Sequence, residues 1–423
     1  MSEAGMIRSD ILIAGAGAAG IAAAIAAARE GKDVVLLERY GMVGGGMTAT
    51  YVRPFLGTVG NPNIGNEVEE RVLKYTAFMT PVESAKVVLA EMLQEAGVRV
   101  YLQTQVIRVE KEGRKITKVV ASCQGNPLCF TADAYLDTTG DGNLSALAGA
   151  EFAIGREGDG LVQPVSTMFT IEGIEPDYGL LCEHEEHYTV LPNGKEYLDL
   201  CHKACESGEL PPSINIVRLY ATGKKGERMV NATQQNRVDP LSPEQLFPAE
   251  YALREQIVSV VRFLKKNIPG FENIRVNGSA VTAGIRESRR IIGDYELKVE
   301  DLFEGKRFDD AVVEDAHFCI DIHNPDGAGQ SETEGCPYEE LPYEIPYRSL
   351  CPKDFDNLLV AGRSISGDHR AHASYRVMRI CMAMGHAAGL AAVQMSDKKC
   401  GTREVNVREI QKVLRINGEG AEA

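Results

Sequence analysis

The stretch from Asp10 to Gly20, DILIAGAGAAG, decides the fold. Ile11 to Ala14 is an unbroken apolar run, the pattern of a strand covered on both faces in a parallel sheet. Gly15, Ala16, Gly17, Ala18, Ala19 and Gly20 then fit G-x-G-x-x-G, and an alanine-rich segment runs as a helix to Glu30 before Gly31. Each glycine has a task. The first permits a tight turn, the second lets backbone approach a pyrophosphate, and the third lets helix and strand pack closely. The helix N-terminus adds unpaired N–H groups and the positive end of a dipole. Val34 to Leu37 is a second buried strand closing at Glu38, 18 positions past Gly20. An acid at about that spacing accepts hydrogen bonds from ribose hydroxyls and repels a 2′-phosphate. The unit predicts dinucleotide binding.

Working outward, RYGMVGGGMT (Arg39 to Thr48) puts a glycine cluster directly after the carboxylate. Bare backbone there suits a long cofactor continuing from its adenosine end toward a ring system, with a surface loop as the alternative. A helix is expected from Ser84 to Glu95, then strands over 98–102, 105–109 and 116–121. From about residue 151 to Pro352 the chain is punctuated by Pro and Gly. One long helix stands out there, with Leu253, Ile257, Val260, Val261 and Leu264 as a core stripe ended by Pro269 and Gly270. A buried strand returns at Asn357 to Val360, followed by Ala361, Gly362 and an apolar helix from about Tyr375 to Met395. The expected class is α/β. A Rossmann-like domain, with a parallel sheet, helices and a small antiparallel β-meander, comes from 1–150 and 356–423. A mixed α+β substrate domain, 151–355, is inserted in it.

A chain of 423 residues calls for more than one core. Net charge of −15 argues against a nucleic-acid or anionic-membrane partner, and no apolar run has transmembrane length. The opening MSEAGMIRS is polar and leads straight into a strand, so no secretory signal and a cytoplasmic location are expected. Ten cysteines include no C-x-x-C pair, which removes support for a redox dithiol. Cys201, His202 and Cys205 fall at helical spacing without a second ligand pair, so no metal is expected and buried free thiols are the reading for most cysteines.

The chain resembles the FAD-dependent oxidoreductases of the glutathione-reductase structural class, in the branch near the fumarate reductase flavoproteins. The resemblance is carried by AGAGAAG with Glu38, Arg39 and GGGMTAT; by Ala132 to Ala150; by Asn231 to Pro240; by GIRESRR (Gly284 to Arg290); by DIHNP (Asp321 to Pro325); and by Ile345 to Ser366 running into Ala371 to Ala392. It implies FAD lying extended between two domains. By matching position, Glu38 and Arg39 would hold the adenosine, and Gly45, Gly46 and Met47 would line the path to the flavin. Val106 would touch the adenine through its backbone, and Gly140 and Asp141 would flank the adenosine–pyrophosphate stretch. Gly362, Arg376 and Val377 would approach the ribitol and pyrimidine end, where a helix starting near Tyr375 would aim N–H groups at the cofactor. One departure stands out: Arg363 occupies the position where many relatives place a ribitol-binding acid, and the nearest acid is Asp368, which leaves the ribitol ligand open. The N-terminal covalent attachment site of several relatives needs a histidine after the glycine cluster. None occurs before His184, so non-covalent FAD is expected.

Flavin redox chemistry needs an acid or base for the proton that accompanies electron transfer. His323, two residues from Asp321, and His372, four residues before Arg376, are the candidates. Arg286, Arg289 and Arg290 have the planar fork that clamps a carboxylate, or else pair structurally with Glu287 and Asp294. Tyr343 and Tyr347 are possible phenolic donors. The expected function is FAD-dependent oxidation or reduction of a small organic substrate. The alternative is a structural FAD serving a non-redox hydration or isomerisation. Nothing in the sequence sets the oligomeric state.

Overall fold

The computed structural model describes residues 5–52, 55–184, 187–329 and 340–416. A five-stranded parallel sheet forms its centre, in the order Leu358–Val360, Ala134–Asp137, Ile11–Ala14, Val34–Leu37 and Arg99–Tyr101. All four pairings are parallel. Every residue of the first four strands is buried, as runs covered on both faces must be. Beside it, Thr104–Glu112, Lys115–Cys123 and Asn126–Thr131 make the antiparallel meander, with Met6–Arg8 added in parallel. The chain is thus an α/β protein with a Rossmann-like sheet to which its C-terminal segment contributes a strand.

The helix of the glycine turn, Ala18–Arg29, packs along Met378–Lys398 from the other end of the chain. A Cβ at Gly385 would lie 2.1 Å from the Ala19 carbonyl oxygen, and one at Gly389 would lie 2.5 Å from that of Ala23. Only hydrogen at these positions lets the two backbones touch. Local boundaries moved as well. The helix expected from Ser84 begins at Pro81, with the Thr80 hydroxyl accepting from the Glu83 N–H at 3.4 Å. A further helix, Ile64–Tyr75, was not foreseen; its N-terminus is closed by Asn63 and Asn66, each accepting from the other's end of the turn.

The apolar helix expected from about Tyr375 to Met395 runs from Met378 to Lys398, and a short helix not foreseen, His369–Tyr375, precedes it. His369–Tyr375 and Met378–Lys398 meet at 91°, with Val377 extended between them at φ −73° and ψ 154°. No glycine or proline marks the break. Tertiary contacts impose it: Asp368 caps the first helix through the Ala371 N–H at 2.7 Å, and the Arg376 side chain is tied to Asp321.

The inserted segment carries its own antiparallel sheet, in the order Arg218–Ala221, Glu227–Asn231, Phe169–Glu172 and Arg275–Ser279. The long helix Pro243–Asn267 lies against it, with Leu253, Ile257, Val260 and Leu264 buried as the stripe foretold and Val261 partly buried. Ile257, Val260, Val261 and Leu264 belong to a second hydrophobic cluster, separate from the one around the central sheet, and Leu253 packs in a smaller one with Val165, Val238 and Ala249. Ile291, Leu297, Phe308, Val312, Tyr343 and Ile345 pack in the first cluster, although they fall inside 151–355. Among the described residues no single helix is long and apolar enough to cross a membrane, and no group of three metal-ligating side chains gathers. Nine cysteines are free thiols; Cys336 lies outside the described residues.

Candidate functional site

A cleft opens where four central strands end, at Ala14, Leu37, Thr138 and Ala361. The carboxyl ends of parallel strands are where open α/β sheets take their ligands. Gly15 turns the chain at φ +99°, where a Cβ would strike the Thr138 carbonyl oxygen at 2.5 Å. Gly20 is equally closed, since a Cβ there would sit 1.9 Å from the Gly15 carbonyl oxygen. Gly17, between them, has nothing within 4 Å of its Cβ position and faces the cleft. Two glycines therefore serve packing, and the middle one leaves space for a ligand at the helix N-terminus.

Glu38 is only 4% exposed. Its Oε2 accepts from the Ala16 N–H and its Oε1 from the Tyr40 N–H, both at 2.8 Å. Burial pushes its carboxyl up, against the pull of those two bonds. Each oxygen keeps a second lone pair, enough for two hydroxyl donors. The tether to the glycine loop was not legible in the sequence, where Ala16 was only part of a motif.

Asp141 is the hub of the charged wall. Its Oδ1 accepts from Arg363 at 2.6 Å and from the Ser288 hydroxyl at 2.8 Å, and Arg39 approaches its Oδ2 at 3.5 Å. Burial favours its protonated form, but Arg363 and Arg39 outweigh that and hold the carboxyl below its ordinary value. The Arg363 guanidinium lies on Gly140, whose Cβ would meet it at 2.9 Å. The Nε atoms of Arg363 and Arg376 are buried with no hydrogen-bond partner among the described residues. Unpaired buried donors beside a helix N-terminus fit an anionic dinucleotide.

Of the predicted cofactor residues, Gly15, Gly17, Ala18, Ala19, Glu38, Arg39, Gly45, Gly46, Val106, Gly140, Gly362, Arg363 and Arg376 line this cleft. Ala16, Gly20, Met47, Asp141 and Val377 stand behind the lining, of which Met47 is 3% exposed and belongs to the central core. Tyr40, Thr104, Thr138, Met378 and Cys381 line it without having been singled out in the sequence. The helix end facing the cleft belongs to Met378, not to Tyr375, because of the break at Val377.

Arg376 leads from the cleft to a buried charged cluster. Its Nη2 donates to the backbone oxygen and to Oδ2 of Asp321, both at 3.0 Å. Oδ2 also lies 3.6 Å from Nε2 of His323. The His323 N–H donates to Gln163 Oε1 at 3.3 Å, and Gln163 Nε2 is buried without a partner among the described residues. Burial, then the charge of Arg286, bring His323 down to about 3 despite Asp321, so the imidazole is neutral at physiological pH. Arg286 donates to the Pro164 carbonyl at 2.8 Å; burial and the nearby Arg376 lower it to about 9, still charged at pH 7. Arg218 and Tyr220, from the edge strand of the inserted sheet, act electrostatically on the same group. Neither was singled out, because an R-L-Y strand carries no motif.

The other candidates are placed differently. Arg290 is committed to Glu287, to Gly367 and to Gly155. Arg289 donates to the Asp141 carbonyl at 3.0 Å and to Asn143. Of the pairings expected for this trio, Arg290 forms the one with Glu287, whereas Asp294 pairs with Arg403 and Arg289 bonds to neutral groups instead. His372 is 1% exposed, with Nδ1 lacking a partner among the described residues. Burial and the charges of Arg290 and Arg376 hold it well below its ordinary value. Tyr343 and Tyr347 are buried and engaged with Ser374 and the Thr402 carbonyl, and neither lines the cleft.

Comparison with known proteins gives a consistent result. The family model described as FAD dependent oxidoreductase matches residues 10–414. Among solved structures, a geranylgeranyl bacteriochlorophyll reductase-like protein from Thermoplasma acidophilum superposes with a TM-score of 0.51 at 12% identity, over 97% of this chain and 84% of its own. The p-nitrophenol 4-monooxygenase of Pseudomonas putida does so with a TM-score of 0.51 at 10% identity, over 97% and 86%. At such identities the likeness is one of fold. No curated protein sequence matches the chain.

Proposed function

The chain belongs to the FAD dependent oxidoreductase family, and from that premise we propose that its cleft holds FAD extended from Glu38 to Arg376, with an anionic organic substrate beside His323 and Arg286. The observation that carries this reading is a cleft with an open glycine at one end and, at the other, buried guanidinium nitrogen without a partner among the described residues. When bound, FAD supplies two-electron redox chemistry. The chain's own residues do the rest. Glu38 accepts the ribose hydroxyls, and Gly17 with the first turn of Ala18–Arg29 receives the diphosphate. Arg286 and Arg376 orient the anionic group of the substrate. A neutral His323 beside Asp321 is the group that would move the substrate proton. Placement near the fumarate reductase flavoproteins belongs to the same reading and rests on the motifs quoted above. So does the division into a discontinuous cofactor-binding unit and an inserted substrate-facing unit. The separate second cluster supports that division, and the packing of Ile291 to Ile345 with the first cluster favours ending the inserted unit near residue 290.

The purified protein is expected to show the two visible bands of oxidised flavin, or to acquire them with FAD, and to bleach anaerobically with its substrate. Turnover of a substrate without any bleaching would instead favour a structural FAD. Acid precipitation should release the flavin into the supernatant. Cys381 is the thiol that lines the cleft, and burial pushes it up to about 12, where it is a poor nucleophile. Flavin retained in the pellet would refute non-covalent binding.

Glu38→Ala should weaken FAD binding by about 10- to 100-fold, since hydrogen bonds to a charged acceptor are worth roughly 1.5–3 kcal/mol each and the loop tether is lost with them. Titration of flavin fluorescence measures this. Unchanged affinity would overturn the ribose assignment.

A further inference from the structure

We propose that Asp321 is a positioning residue that couples the two halves of the site: it holds Arg376 against the cofactor cleft, sets how much of that positive charge the cofactor feels, and orients His323 with the same oxygen. This rests on the reading of the cleft as the FAD site.

Arg376 reaches Asp321 at two points from a single nitrogen, the backbone oxygen and Oδ2, each at 3.0 Å. Its Nε is left buried and without a partner among the described residues, while its side chain lines the cleft. The guanidinium is thus anchored at one nitrogen and keeps another donor unengaged. Asp321 Oδ2 is shared, because His323 Nε2 stands 3.6 Å from it. The carboxylate faces Arg376, His323 and Arg218, with Arg286 close by. Burial favours its protonated form, yet these partners hold it well below its ordinary value, so it is an anion throughout the physiological range.

A buried carboxylate this close cancels much of the field of its arginine. Were Arg376 left uncancelled, it would favour the more negative, reduced form of a bound cofactor over the oxidised form. Asp321 therefore sets the reduction potential by opposing Arg376. Its backbone contact keeps the arginine in place even when the carboxylate charge is removed, which makes the charge separable from the placement.

The test is reductive titration of the purified holoprotein against a reference dye. Asp321→Asn should bind reduced flavin about tenfold more tightly relative to oxidised flavin, a rise of ~30 mV for a two-electron couple. Asp321→Glu, which restores the charge, should return the potential toward the parent. Arg376→Gln should lower it, and the double variant Asp321→Asn with Arg376→Gln should lie close to the parent, since it removes both charges. If the single Asn variant does not fold, Arg376→Gln and the double variant decide the matter alone, because removing both members of a buried pair is the milder change. An unchanged potential in flavin-loaded Asp321→Asn would overturn the proposal, as would a double variant that matches Arg376→Gln. A parent protein that takes up no flavin would sink the reading of the cleft instead. Flavin bound with none of these shifts sinks only the role of Asp321.

Discussion

His323→Asn is expected to keep the fold and the flavin spectrum and to slow flavin reduction by substrate by about 10²–10⁴-fold, the usual contribution of a positioned acid–base group. Asparagine fills similar space but carries no titratable ring nitrogen. His323 sits in the cluster that contains Arg286 and Asp321, and its neighbour Arg376 lines the cleft. Like His323, His372 is buried and does not line the cleft, but it is packed edge-on against Tyr375 at 5.5 Å and has no carboxylate partner such as Asp321 among the described residues. His372→Asn should therefore cost less than His323→Asn. Stopped-flow reduction under anaerobic conditions separates them. Rates within a few fold of the parent in both variants would remove histidine from the mechanism and leave Arg286 or Tyr220 as the next side chains to test.

The second large effect is a loss of stability in mild acid. Burial brings His323 to about 3 and His386 to about 4, and it holds His372 well below its ordinary value. All three are depressed in the folded state, so the unfolded chain binds more protons as pH falls through about 6.5. Stability from these groups is complete above that pH and is lost progressively below it. At pH 5 His323 and His386 each cost about 2 kcal/mol, from roughly 1.4 kcal/mol per pH unit, and His372 acts in the same direction. Asp141, held down by Arg363 and Arg39, and Asp321, held down by His323 and then Arg376, contribute only at still lower pH. Between pH 7.5 and 5, at fixed ionic strength and fixed excess FAD, Tm should fall by roughly 5–15 °C. His386→Asn, far from the charged cluster, should make the fall shallower by about a third. A Tm that is flat across this range would show that these histidines are protonated in the fold.

The cofactor half of the site was legible in the sequence because its residues are neighbours in the chain. Strand, glycine turn, helix, strand and acid follow one another from Asp10 to Glu38, and local geometry alone brings Gly17 and Glu38 to the same strand ends. The apolar runs likewise announced the parallel sheet, and the stripe from Leu253 to Leu264 announced the long helix. The break at Val377 carried no sequence mark, since no glycine or proline sits there and the bend comes from Asp321 gripping Arg376 across 55 positions of chain. Gly385 and Gly389 read as small residues in an apolar helix, and only the opposing backbone of Ala19 and Ala23 shows why nothing larger fits.

The catalytic half depended on long-range assembly. Arg286, Arg289 and Arg290 are equivalent as a local pattern, and tertiary contacts separated them by committing two to Asp141, Asn143 and Glu287 while the third faces His323. Arg218 and Tyr220 joined the cluster from a strand with no motif. The sequence by itself determined the fold class and dinucleotide binding, because both follow from hydrophobic period and turn chemistry within some thirty residues, while FAD in particular was implied by the resemblance carried by motifs along the whole chain. The tertiary structure alone decided which charges share one buried volume. That depends on which distant segments exclude water together, and burial is what turns an ordinary histidine into a neutral one and an ordinary arginine into an anion's partner.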